Sequence, residues 1–210
     1  MRNIRIIILG VVAGCMGLTA VGQDKTVLDL LQTIEGKWKV SKNNNVYVQD
    51  IISCESKTKD QLYLLVKEYF ANANEGESAV VQLDDKENGI IVWKGMYSGI
   101  KCTEVGIGSG INCVFLHFIK CEIKNNKLRI TITLTKYEEH VLALSARGAS
   151  SAKINEHPIS NLYPMNTTPK DKQLNTREGY LFYKAVNRAF ASIEAIRNYI
   201  NSGSTDVKVE

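Results

Sequence analysis

Between residues 128 and 135, apolar and polar positions alternate without a break. Leu128, Ile130, Ile132 and Leu134 fall between Arg129, Thr131, Thr133 and Thr135. A period of two is that of a strand with one buried face. The run before it, residues 111–123, is also extended in character, and KNNK separates the two. If Asn125 and Asn126 form a two-residue turn, Ile123 faces Leu128 and Ile119 faces Ile132. The inner face then collects Cys113, Phe115, His117, Ile119 and Cys121. The outer face collects Val114, Leu116 and Phe118, an unusually apolar set for a surface turned to water.

Elsewhere the period changes to that of a helix. In SKTKDQLYLLVKEYFANA, Leu62, Leu65, Val66 and Tyr69 recur at helical spacing, and Thr58 and Gln61 stand at the spacing of a capping box. This predicts a helix over residues 58–72. A shorter helical segment spans 26–34. GKWKVSKNNNVYVQDIIS reads as two extended pieces around an asparagine-rich turn. Residues 79–83 and 90–96 are rich in β-branched and aromatic side chains, with DDKENG between them. Asp84, Asp85, Lys86 and Glu87 could be an acidic site, but aspartate, asparagine and glycine are also turn residues, and a lone hairpin tip has no second wall. They are read as the tip of a hairpin.

Residues 140–176 show no sustained period and hold all three prolines, Pro158, Pro164 and Pro169. They are read as a long irregular connection. A last helix is expected from residue 179, with Asn175 and Glu178 as caps and Phe182, Val186, Ala189, Ile193, Ile196 and Ile200 on one face. Residues 202–210 form a loose tail. The fold class is α+β: an antiparallel sheet of about five strands with two helices, 58–72 and 179–201, on one face. The elements run β-α-β-β-β-β-α in a single domain over residues 23–201.

Composition adds a destination. MRNIR is a short basic start, residues 6–22 are apolar with four glycines, and QDK opens the polar sequence. That is the layout of a secretory signal, too short and too glycine-rich for a comfortable membrane span. Cleavage after Ala20-Val21-Gly22 makes residues 1–22 a signal peptide. The competing reading is a lipoprotein box at Val12-Ala13-Gly14-Cys15, with Cys15 lipidated. Apolar sequence continues past Cys15, which favours ordinary cleavage, so membrane attachment is expected only if Cys15 is lipidated. The chain carries 26 basic and 22 acidic residues. Without Arg2 and Arg5 the balance is 24 to 22, which argues against a nucleic-acid partner.

Candidate chemistry is sparse. Cys113, His117 and Cys121 share one face of a strand, but eight residues of strand separate the two cysteines by about 26 Å. They therefore read as core and not as metal ligands, and no cofactor is expected. Apart from Cys15, the cysteines are Cys54, Cys102, Cys113 and Cys121. Cys102 and Cys113 flank EVGIGSG symmetrically, so a hairpin there would set them opposite each other at bridging distance. Free buried thiols are the alternative. Gly106, Gly108 and Gly110 open a strand and not a helix, so they read as a turn and not a phosphate loop. His117, His140 and His157 belong to no recognisable catalytic motif.

The segments VYVQDIISCESKTKDQLYLLVKEYF, VVQLDDKENGIIVWKG and FIKCEIKNNKLRITIT resemble a family of secreted bacterial proteins of unknown function with a TATA-binding-protein-like fold, common in the Bacteroidota. The resemblance covers residues 45–137, and the closing helix by order. It implies the TBP-like α+β fold and brings no catalytic residue with it. Tyr69 stands where such proteins often have tryptophan, and residues 140–176 match nothing in the family. A shared fold does not imply DNA binding.

The expectation is an exported protein of the periplasm or cell surface, a non-enzymatic binding module for an envelope protein or ligand. Val114, Leu116 and Phe118 are its candidate surface, either as the binding face itself or partly covered by the N-terminal segment or, through Leu142, Leu144, Ile159 and Leu162, by the 140–176 connection. One alternative is an enzyme assembled from distant residues, using His140 or His157 with carboxylates. Another is a purely structural envelope component.

Overall fold

The computed structural model describes residues 27–55, 57–73, 80–104, 110–144, 150–163 and 172–203. The expected leader with Cys15, the glycine turn before Gly110 and the end of the tail lie outside these residues. The described elements are α1 (Val27–Ile34), β1 (Lys39–Val40), β2 (Val46–Ser53), α2 (Lys59–Ala73), β3 (Val80–Asp85), β4 (Ile90–Glu104), β5 (Gly110–Lys124), β6 (Lys127–Leu144), β7 (Ser150–Pro158), a 3-10 turn (Ile159–Leu162) and α3 (Lys172–Ser202). All pairings are antiparallel, in the order β1-β2-β6-β5-β4-β3. β6 is long enough to take two neighbours on one side. Its first half pairs with β2, and residues 136–144 pair with β7.

The β5–β6 hairpin closes as the alternation requires. Ile123 lies opposite Leu128 and Ile119 opposite Ile132. Asn126 takes the left-handed backbone, with φ 59°, that a two-residue turn needs. The loop before α2 holds this turn from outside: Cys54 N–H donates to the Asn126 carbonyl at 2.9 Å, and Lys59 N–H to Asn125 Oδ1 at 3.1 Å. α2 begins with both halves of its capping box. Thr58 N–H donates to Gln61 Oε1 at 2.9 Å, and Gln61 N–H to Thr58 Oγ1 at 3.3 Å.

One face of the sheet carries the helices. Leu62, Tyr63, Val66 and Phe70 of α2 pack on it, together with Leu181, Phe182, Ala185, Val186, Ala189, Ile193, Ile196 and Ile200 of α3. Beneath them lie Ile91, Trp93, Phe115, Ile119, Ile123, Leu128, Ile130, Ile132 and Leu134. Phe70 stacks on Trp93 with ring centroids 3.6 Å apart. Asp50, on the same face of β2, pairs with Arg197 of α3. α1 packs against α3.

Several expectations need correction. Among the described residues the sheet has seven strands where about five were expected, and α1 stands beside the two expected helices. The described parts of residues 140–176 are not irregular: β6 runs on to Leu144, β7 spans Ser150–Pro158, and Ile159 and Leu162 are buried in the helix-side core. α3 begins at Lys172, so Asn175 and Glu178 lie within it and do not cap it. The DDKENG reading is right for Asp85, whose carboxylate accepts from the Asn88 N–H at 3.0 Å and the Asn88 amide at 2.8 Å. Those bonds hold its pKa below the usual aspartate value. Asp84 does more than form a tip. It accepts a hydrogen bond from the Tyr63 hydroxyl and another from Lys67 Nζ at 2.8 Å, which ties the hairpin to α2. At the far edge, β3 exposes Val80, Val81 and Leu83, and its register slips between Val81 and Leu83.

Candidate functional site

With the helices gathered on one side, the opposite face of the sheet is the first place to look. The parity of β5 sends Cys113, Phe115, His117, Ile119 and Cys121 to the helix side, where all five are buried. Val114, Leu116 and Phe118 therefore lie on the other face, as their spacing predicts. Leu116 is only 7% exposed yet stands outside the main core cluster, while Val114 and Phe118 are half-buried. Met96 and Lys136 flank Leu116, and Lys94 and Thr133 flank Phe118, on the neighbouring strands. The connection after β6 does not cover this patch with Ile159 or Leu162, which turn into the helix-side core. The register also slips here, with Leu116 opposite Lys136 and His117 opposite Leu134, so Thr135 is an extra residue. Its hydroxyl donates to the Leu116 carbonyl at 3.3 Å.

Farther along the same face, toward the Asn125–Asn126 turn, the apolar row gives way to charge. A groove of about 330 Å³ is lined by Ile51, Glu122, Lys124, Lys127 and Arg129. Cross-strand pairing assembles it, with Glu122 opposite Arg129, Lys124 opposite Lys127, and Ile51 opposite Arg129 on the other side. Glu122 meets Lys120 at 3.2 Å and Arg129 at 3.6 Å.

His140 and His157, either of which was expected to work with carboxylates in an assembled enzyme site, each lie beside one glutamate, on opposite faces of the sheet. His140 pairs with Glu138 at 3.0 Å on the helix-free face. His157 lies on the helix side, where its Nε2 is 3.7 Å from Glu139 and its ring stacks on Tyr137. Glu139 also binds Arg177 from the first turns of α3. Burial, reinforced by Glu139, pushes the Tyr137 hydroxyl up to about 12, with Arg177 opposing. In this cluster the carboxylate is held by a guanidinium. Its geometry locks α3 onto the β6–β7 hairpin. Glu139 is 14% exposed, so Arg177→Ala leaves a poorly hydrated carboxylate, and we expect a loss of about 2 kcal/mol. Glu139→Gln should cost less, because the amide oxygen can still accept from the Arg177 guanidinium and no buried charge is left unpaired on β6. Urea unfolding of the two variants gives the order, and equal or reversed losses would remove the lock.

His117 sits deep in the core, stacked on Tyr97 with centroids 3.9 Å apart. Gly95 lies opposite it, and a Cβ there would come within 2.8 Å of His117 Nε2, so glycine leaves the room the imidazole occupies. Burial lowers the His117 pKa from 6.5 to about 4, and the Phe115 backbone offsets part of the effect. The His117 Nδ1 is buried without a hydrogen-bond partner among the described residues, which favours the uncharged ring. Cys121 and Cys54 are buried free thiols, both with raised pKa. Cys113 is disulfide-bonded. Among the described residues, no group of three or more His, Cys, Asp and Glu converges to hold a metal. None of the described helices is long and apolar enough to cross a membrane.

Comparison with known proteins gives this architecture a context. Residues 49–138 match the family described as a domain of unknown function (DUF4468) with TBP-like fold. A crystal structure of a DUF4468 family protein from Bacteroides ovatus is similar over 79% of this chain and 91% of that one, with a TM-score of 0.55 and 10% identity. A TBP-like protein from Parabacteroides distasonis is similar over 76% and 97% respectively, with a TM-score of 0.50 and 14% identity. At such identities the likeness is one of fold. No curated protein matches the sequence.

Proposed function

We propose that this chain, whose residues 49–138 carry a DUF4468 domain with a TBP-like fold, is an exported cell-envelope protein that binds a partner without catalysing a reaction. The contact surface is the helix-free face of the sheet around Val114, Leu116 and Phe118. One observation carries the reading: this face holds Met96, Val114, Leu116 and Phe118 as neighbours, with the described helices on the other side. An apolar patch on a sheet face is the usual ground of a protein contact. Near-balanced charge supports a protein or small ligand over nucleic acid.

Export rests on the N-terminal pattern and on cysteine usage. A disulfide at Cys113 suits an oxidising compartment, periplasm or cell surface. We infer Cys102 as its partner. Cys102 falls at the register slip between Lys101 and Thr103, beside the pairings of Ile100 with Cys113 and Lys101 with Asn112.

The test uses the protein recovered from the envelope fraction of its own host. A photo-crosslinker at position 118 should give a discrete adduct that the same group at Asn198, on α3, does not. Mass mapping without reductant should show a mature start at Gln23 and linked Cys102 and Cys113 peptides. A start at an acylated Cys15 would convert the reading to a lipoprotein. An uncleaved Met1, or equal labelling from both positions, would overturn it.

A further inference from the structure

The charged groove at the end of the helix-free face is a site of its own, separate from the apolar patch. Lys124 and Lys127 are direct cross-strand partners on either side of the Asn125–Asn126 turn. Like charges placed opposite one another in a hairpin repel. Neither lysine has an ion pair among the described residues, and both are exposed. The turn between them is not free to splay. The Asn126 N–H donates to the Lys57 carbonyl at 3.1 Å, and the Asn126 carbonyl accepts from Cys54. The two ammonium groups therefore stand on a braced scaffold. Arg129 completes the arc, and Glu122 is already shared between Lys120 and Arg129. Lys124, Lys127 and Arg129 set against Glu122 leave two positive charges in the groove. At its side Ile51 is 55% exposed, and with the aliphatic stems of the basic side chains it makes the floor of the groove mostly apolar beneath the charged ends.

We propose that this groove binds a small soluble phosphomonoester, the phosphate held by Lys124, Lys127 and Arg129 and a compact apolar group lying against Ile51. Charge selects the ligand class. A phosphate monoester carries roughly −1.5 to −2 near neutral pH and matches the surplus, whereas a single carboxylate would leave the lysines repelling. Its oxygens are numerous enough to meet two ammoniums and a guanidinium at once. A volume of about 330 Å³ lies at the small end of ligand pockets, which fits a metabolite-sized molecule.

The test is an amide chemical-shift titration of the full folded domain with phenyl phosphate. Shifts should gather at Ile51 and along residues 122–129. Affinity for inorganic phosphate should be several-fold weaker, because it lacks the apolar group. Lys124→Ala combined with Lys127→Ala should lower phenyl phosphate affinity by about 10-fold or more. Both lysines are exposed, so the fold should survive, and Lys127→Gln alone gives a milder variant with a smaller loss. Vesicles of phosphatidylcholine containing phosphatidic acid should not retain the protein. Shifts spread over all surface lysines, unchanged affinity in the variants, inorganic phosphate binding as tightly as phenyl phosphate, or binding to vesicles alone would each overturn the proposal.

Discussion

Gly89→Ala is expected to cost about 3 kcal/mol, far more than an ordinary change at a hairpin tip. Two penalties coincide at this residue. Its φ of +67° lies in the left-handed region, which costs an L-residue about 1 kcal/mol. A Cβ would also stand 2.5 Å from the Ile123 carbonyl oxygen and 2.8 Å from Lys59 Cε. The lysine end can swing away. The carbonyl belongs to β5 and cannot, because the Ile123 N–H is bound to the Gly89 carbonyl at 2.7 Å. Relief therefore requires β3–β4 to move off β5, which costs a further ~2 kcal/mol. Gly36 supplies the control. It has φ +71°, but a Cβ there would meet nothing within 4 Å, so Gly36→Ala carries only the backbone term. Urea unfolding of the two variants separates strain from collision. If both lose the same stability, the tight approach of Gly89 to β5 is not real.

Acid should weaken the fold through His117. Its pKa falls from 6.5 in the unfolded chain to about 4 in the core. Between those values the unfolded state binds the proton and the native state does not, so stability decreases as pH drops. The contribution is complete above pH 6.5 and is lost on the way down to about 4, a total of roughly 3 kcal/mol. His117→Leu removes the titration while keeping an apolar side chain beside Gly95 and Tyr97. Between about pH 7 and about pH 4.5 the unfolding free energy should therefore fall by roughly 2.5 kcal/mol less in the variant than in the parent. Parallel losses in the two proteins would mean that His117 is hydrated or paired and not held neutral in the core.

The elements legible in the sequence are those whose reasons are local. The Thr58–Gln61 capping box, the β5–β6 register and the apolar stripe of α3 each declare themselves within a dozen residues, and all three stand in the structure. The second half of β6 does not declare itself. Its helix-side positions include Tyr137 and Glu139, and Glu139 is tolerable there only because Arg177, far along the chain, neutralises it. Alternation therefore breaks down where the strand continues. In β7 the apolar Ile154 faces out and His157 faces in, the reverse of a simple pattern. The first turns of α3, KQLNTRE, lack the stripe that marks the rest of the helix. The phosphate groove was hidden for a similar reason. KNNK reads correctly as a turn and brings Arg129 with it, but Ile51 joins them only when β2 docks beside β6.

The slipped register of β3 bears on how the molecule behaves at high concentration. An edge strand offers unpaired amides and carbonyls to any other chain, and Val80, Val81 and Leu83 would add apolar contact to such a meeting. The slip at Gln82 breaks the even spacing that a straight incoming strand needs. Asp84 is taken up by Tyr63 and Lys67 of α2, and Asp85 places negative charge at the end of the same short edge. A second copy adding edge to edge would find its hydrogen bonds out of step after two residues. The irregularity thus works as a guard against fibril growth at a sheet border that exposes valine and leucine.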